Sequence, residues 1–303
     1  MGGTENGQGT VQVCLDRDTW TKALFDLSLN GVQNTVLHLD SVEKVHKLTL
    51  AGIMGNDKAS CVTTEASAGR DSATALLLAV DTSDRVYHGN LGFGQYIDMY
   101  DTGKKYDSGY IGLVKTGVFS QTAGNARLAF LTIDAGSLKV ENSLFLVGEL
   151  NMGQDGNLVV GRDEWQALYD YDVQVNDGGV LRLGSGFGTL SGTPYTEDGV
   201  QKTGNTILLN GGGVLGMLDA DWDNDYEMVV DAGGKAFVLD TTGYDPDAMA
   251  ASGDSHVMTL NGVIKPGETS GTIIIKNDNA GKNGRVVLGG ANTWDGAYRV
   301  TDH

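Results

Sequence analysis

One phrase recurs along this chain and limits what it can fold into: a short apolar strand, an Asp or Asn with small residues, a glycine turn, and a second strand. It is plain at 131–140, 173–183, 207–215 and 228–239, and weaker at 152–160. With Gly136, Gly156, Gly178, Gly212 and Gly233 as markers, the steps are 20, 22, 34 and 21 residues. Spacing of that order suits one rung of a solenoid. A single rung cannot bury its own apolar face, but rungs stacked about 4.8 Å apart pair strand on strand and enclose a continuous core. Glycine and Asn or Asp then fall at the corners, where positive φ is required. The long step across 189–205 predicts an insertion looped out of one corner.

The phrase therefore predicts an all-β chain built as a parallel β-helix (solenoid), one continuous domain over 1–303 with 1–31 as an N-terminal cap. Within that cap, Trp20, Leu24, Phe25 and Leu27 predict a short helix over 18–29. The alternative is an antiparallel β-sandwich, which also has short strands and frequent turns. Parallel stacking is preferred because the phrase is similar at each repeat, whereas hairpins would alternate two kinds of connection.

Composition narrows the partners. There are 21 Lys and Arg against 39 Asp and Glu, for a formal net charge of −18, which argues against nucleic acid and anionic membrane. Glycine reaches 45 residues with only 3 prolines, a bias that fits many tight turns better than collagen or a proline-rich linker. No apolar run is long enough for a transmembrane helix. Residues 1–5 lack the basic and apolar regions of a signal peptide, so secretion is an inference that presumes a removed signal. The two cysteines, Cys14 and Cys61, fit neither a zinc site nor a CxxC motif; a disulfide and two buried thiols both remain open.

The segment 284–300 runs from the strand Val286-Val287-Leu288 through Gly290-Ala291-Asn292-Thr293-Trp294 and Gly296 into a second strand ending at Val300. It resembles the autotransporter-associated β-strand repeat. Lys115-Thr116-Gly117 is similar to that repeat's leading phrase, and 131–140 to its closing one. The resemblance is clear in about 50 residues and diffuse through 110–300. It implies a right-handed parallel β-helix passenger segment exported by Gram-negative bacteria, and it fixes no activity, because this architecture serves adhesins, hydrolases and plain stalks. Two departures stand out: Lys115-Thr116-Gly117 is not followed at short distance by the Asn-Thr phrase, and no membrane barrel follows His303.

Five sets of residues carry candidate chemistry. Asp101-Thr102-Gly103 and Asp107-Ser108-Gly109 have the form of aspartic-protease loops, in which two carboxylates share a proton, one acting as base on water. Only six residues separate them, and Lys104 stands where an apolar residue is usual; the plainer reading is a glycine turn between strands over 96–100 and 110–114. Asp219, Asp221, Asp223 and Asp225 alternate along 219–227, as hard oxygen donors to a structural calcium would. Asn224 and Val230 break the EF-hand pattern, and a solvated acidic loop is the simpler account. Trp165, Tyr169 and Tyr171 lie among Asp163, Glu164, Asp170 and Asp172, a mixture that suits sugar binding or glycoside cleavage. Two weak motifs complete the set. Gly211 to Gly216 satisfies GxGxxG with no helix after it, and Gly253-Asp254-Ser255-His256 resembles a serine-protease nucleophile phrase. The histidines show no zinc spacing.

These observations predict a secreted or outer-surface module of a Gram-negative bacterium that displays loops for adhesion to an extracellular glycan or glycoprotein. No cofactor is expected beyond a structural calcium. The alternatives are a secreted aspartic-type protease acting on glycoproteins such as mucin, with Asp101 and Asp107 as its acids, and a polysaccharide-acting β-helix enzyme.

Overall fold

The apolar positions of the recurring phrase become ladders. Leu76, Leu113, Leu131, Val173, Ile207, Met228 and Ile264 stand in backbone register on successive parallel strands, all of them buried. On a second sheet Leu138, Leu181, Leu215 and Leu239 do the same. Each such side chain removed from water contributes about 1.5–3 kcal/mol, and alternate residues along each strand point into the shared interior. In this computed structural model the described residues are 10–14, 23–26, 36–40, 45–56, 58, 60–64, 73–92, 95–97, 105–107, 111–128, 130–142, 144–146, 173–185, 187–188, 195–197, 200–202, 206–245, 248 and 250–302.

Two long parallel sheets organise these residues. Sheet I has thirteen strands; its main path runs in sequence order from Thr10–Cys14 through Arg85–Leu91, Ser120–Leu128, Gly136–Val140, Gly179–Leu183, Val214–Met217, Phe237–Asp240 and Thr272–Asn277 to Ala297–Asp302. Sheet II has nine, again in sequence order, from Ala23–Asp26 through Val45–Met54, Ala73–Ala79, Ile111–Thr116, Phe130–Ile133, Val173–Val175, Thr206–Asn210 and Glu227–Asp231 to Ile264–Pro266. Along the main paths the chain alternates between the two as far as Thr272–Asn277, so successive strands there are separated by a visit to the other sheet. A third sheet of three parallel strands, Trp222–Asn224, Val257–Leu260 and Arg285–Leu288, joins near the C-terminal end. The parallel pairing throughout the long sheets rules out the antiparallel sandwich.

The corners follow the sequence reading. Gly136, Gly178, Gly212 and Gly233 all take positive φ, from 51° to 88°. At the first three of these corners the Asp or Asn before the turn stacks on the next: Asn176 Nδ2 donates to Asp134 Oδ1 at 2.6 Å, and Asn210 Nδ2 to Asn176 Oδ1 at 2.6 Å. The looped-out insertion is also found, as a hairpin of Tyr195–Glu197 with Val200–Lys202 outside the long sheets.

One expectation needs correction, and one open alternative closes. Ala23–Asp26 is a strand of sheet II paired with Val45–Met54, where a helix was expected over 18–29. A lone amphipathic helix of that length is marginal, and the neighbouring rung offers the backbone a full set of partners. The weak copy at 152–160 lies outside the described residues; the strands on either side of it pair directly, Leu131 with Val173 and Leu138 with Leu181. Lastly, register places Cys14 opposite Asp40 and Cys61 opposite Val36, with Val36 opposite Thr10. Four residues along and two strands across separate the Cα atoms by about 16 Å, more than a disulfide spans. Burial pushes the Cys61 thiol up to about 12. Among the described residues no helix is long and apolar enough to cross a membrane.

Candidate functional site

Near the C-terminal end a recess of about 510 Å³ opens between the 277–285 connection and the last strand of sheet I. Val257, Ile275 and Val300 give it apolar walls; Asn277, Asn283 and Thr301 contribute neutral polar groups; Lys276, Lys282 and Arg285 bring three cations. Register explains the assembly. Ile275 and Lys276 face Val300 and Thr301 across sheet I, while Val257 and Arg285 are partners on the third sheet. Asn277 fixes the connection: its Nδ2 donates to Lys282 O at 2.8 Å, and its Oδ1 accepts from Ser255 Oγ at 2.8 Å.

Its electrostatics are local. Lys276 is paired with Asp278, and Lys282 with Asp254 at 2.8 Å. The Lys282 bond holds the Asp254 carboxyl below its ordinary range, and Asp254 in turn raises the Lys282 ammonium. Arg285 is exposed, and its guanidinium has no partner among the described residues. A volume of this size lies within the range of small-ligand sites.

A second polar group is closed. The hairpin of Thr242–Asp245 with Ala250–Ser255 lays Tyr244 over the outer face of sheet I, its ring 4.5 Å from Lys139 Nζ and 5.0 Å from the Arg182 guanidinium. Lys139 Nζ donates to Ser120 Oγ at 3.1 Å and to Tyr244 Oη at 3.2 Å, while Ser120 Oγ donates to Asp84 Oδ1 at 2.6 Å. Arg182 pairs with Asp240 at 2.7 Å. Burial lowers the Lys139 ammonium to about 8. Serine beside such a lysine suggests a nucleophile and base, but the Ser120 proton is directed to Asp84, and Ser120 and Lys139 are only 5% and 3% exposed. No substrate reaches them in this arrangement.

The sequence-derived candidates fall differently. Asp101 lies outside the described residues. Asp107 ends the strand Lys105–Asp107, which pairs antiparallel with Gln95–Ile97. Of the strands expected over 96–100 and 110–114, residues 96–97 fall within Gln95–Ile97 and 111–114 within Ile111–Thr116, which belongs to sheet II. Asp219 and Asp221 meet on His256, at 3.1 Å from Nε2 and 3.4 Å from Nδ1. Asp221 also accepts from Val257 N at 2.8 Å, and Asp225 from Asn261 Nδ2 at 3.0 Å, while Asp223 is exposed. Of the four, only Asp223 lies on the strand Trp222–Asn224, and the other three flank it. Among the described residues no three His, Cys, Asp or Glu side chains are grouped to hold a metal ion.

Residues 163–172 lie outside the described residues. The glycines from Gly211 form a corner and run into the strand Val214–Met217, as expected. Ser255 and His256, adjacent on extended chain, turn to different partners and form no dyad. The recess itself escaped the sequence reading. Its cations are scattered over ten residues on two strands and a connection, and nothing in the linear spacing joins them.

The chain matches no family model, no curated protein and no solved structure. Function must therefore be argued from the recess and the fold that holds it.

Proposed function

We propose that this chain is a right-handed parallel β-helix of passenger type, secreted or held on the outer surface of a Gram-negative bacterium, that displays loops and a recess for contact with an extracellular glycan or glycoprotein. Catalysis is no part of this reading. The observation that supports it most is the sequence-ordered growth of both long sheets, with hairpins at 95–107, 195–202 and 242–255 standing outside that order. A scaffold that adds strands in this way commits its apolar residues inward and leaves excursions free to vary. Crossovers between parallel strands of one sheet are right-handed in about 98% of cases, which supports the hand. The recess adds apolar walls with Asn and Thr groups, the mixture that sugar faces and hydroxyls require.

The deciding experiment is a glycan array, with mucin-type O-glycans included, probed with the purified chain. Binding to a defined subset, without product release, supports the reading; binding to none removes it. The protease alternative is separated by incubating mucin and casein with the chain from pH 3 to 9 beside Asp101→Asn. Cleavage lost in the variant would replace the display reading with an acid protease, though no observation on the described residues favours that outcome.

A further inference from the structure

We infer that the recess between the 277–285 connection and the last strand binds the carboxylate of an acidic sugar, with Arg285 as the anchoring cation. This deepens the glycan-contact reading and rests on it. The first argument is charge. The chain carries a formal −18, and its average field repels anions, so three cations around one recess form a local exception. The second is pairing. Asp278 and Asp254 neutralise Lys276 and Lys282, and the recess keeps one net positive charge, on Arg285. A single carboxylate matches that charge; a phosphate dianion or a polysulfated chain would carry charge beyond it with no cation to meet, both lysines being already paired.

Geometry gives the third argument. A guanidinium with its fork free takes a carboxylate through two parallel hydrogen bonds, which a lysine cannot do. Arg285 is aligned with Val257 on the third sheet, beside the half-buried Ile275. A ring whose carboxylate lies on Arg285 therefore has an apolar wall for its C–H face, and Asn283 and Thr301 within the same recess for its hydroxyls. The ion pairs tie Lys276 to Asp278 in the connection and Lys282 to Asp254 on the hairpin strand Ala250–Ser255, so they position the rim while Arg285 remains available.

The test is calorimetric titration of the intact chain with oligogalacturonate and with its methyl ester, which keeps the rings and removes the charge. Sialyllactose and lactose form a second acid and neutral pair. The expected result is that the acids bind about tenfold or more tightly than their neutral counterparts. Arg285→Gln should abolish that preference at an unchanged melting temperature, while Arg285→Lys keeps part of it. Raising the salt should weaken the acids alone. Equal binding of acid and neutral forms, or an acid preference that survives Arg285→Gln, would overturn the inference and leave glycan contact standing. Failure of both acids to bind would overturn it too, and the array then decides the broader reading separately.

Discussion

Lys115 occupies a row that its neighbours on both sides give to aliphatic residues, since it pairs with Leu78 on one strand and Ile133 on the next. Its ammonium escapes to the corner and donates to the carbonyls of Thr116 at 2.6 Å, Gly117 at 2.9 Å and Ala135 at 3.2 Å. Burial lowers it to about 8, as it does Lys139. Between about pH 8 and the unfolded value near 10.4, the unfolded chain binds more protons than the native one, so these two groups make stability rise with pH in that window and leave it flat below. Urea unfolding at pH 7.5, 8.5 and 9.5 should show that rise in the parent and a smaller one in Lys115→Met and Lys139→Met. An identical slope in all three would refute the burial of charge. Gly136 and Gly178 permit a second test. Both have positive φ, but a Cβ at Gly136 would meet Gly117 O at 2.4 Å and Phe119 O at 2.6 Å, whereas Gly178 has open space. Gly178→Ala should therefore cost about 1–2 kcal/mol for the left-handed backbone, and Gly136→Ala clearly more, read from the urea midpoints.

At the scale of elements, one side chain replaces a missing strand partner. The pairing of Val45–Met54 with Ala73–Ala79 stops at Leu50 and Leu78, leaving Ile53 beyond its end. There Gln121, fully buried, accepts from Ile53 N at 3.0 Å and donates to Ile53 O at 2.8 Å, and also to Thr122 O at 2.8 Å. Its amide thus acts as a peptide group laid between rungs. Gln121→Met preserves volume but leaves the inner Ile53 groups without these bonds, and it should destabilise by about 2–4 kcal/mol in chemical denaturation. A cost below about 0.5 kcal/mol would mean that water takes over both bonds. The Thr242–Asp245 hairpin depends on Tyr244 in a comparable way. Tyr244→Ala should raise amide exchange in 242–255 well above that in sheet II, while Tyr244→Phe, which keeps the ring over Lys139 and Arg182, should raise it less.

For the whole molecule, net charge and stacking set the behaviour. With a formal −18, self-repulsion opposes the compact state, so raising NaCl from 0.02 to 0.3 M should raise the melting temperature until the surface charges are screened. A fall over that range would show that the surface ion pairs, such as Lys282 with Asp254, outweigh the repulsion. Each circuit leans on the circuits beside it, so a truncation in the middle of a ladder, Leu131→Ala, should cost about 2–5 kcal/mol.

The recurring phrase determined a great deal by itself. Apolar runs ending in Asp134, Asn176 or Asn210 and a glycine specify strand, corner and strand, because only glycine takes those positive φ values cheaply and only stacked rungs bury those strands. Tertiary structure decided the rest. Whether a segment becomes helix or strand depends on which neighbour its backbone finds, so the helix-like 23–26 becomes a strand. The meeting of Arg285 with Val257, and of Asp219 with His256, depends on register between strands tens of residues apart. Local composition carries no record of that register, because it is fixed only when each circuit settles on the one before it.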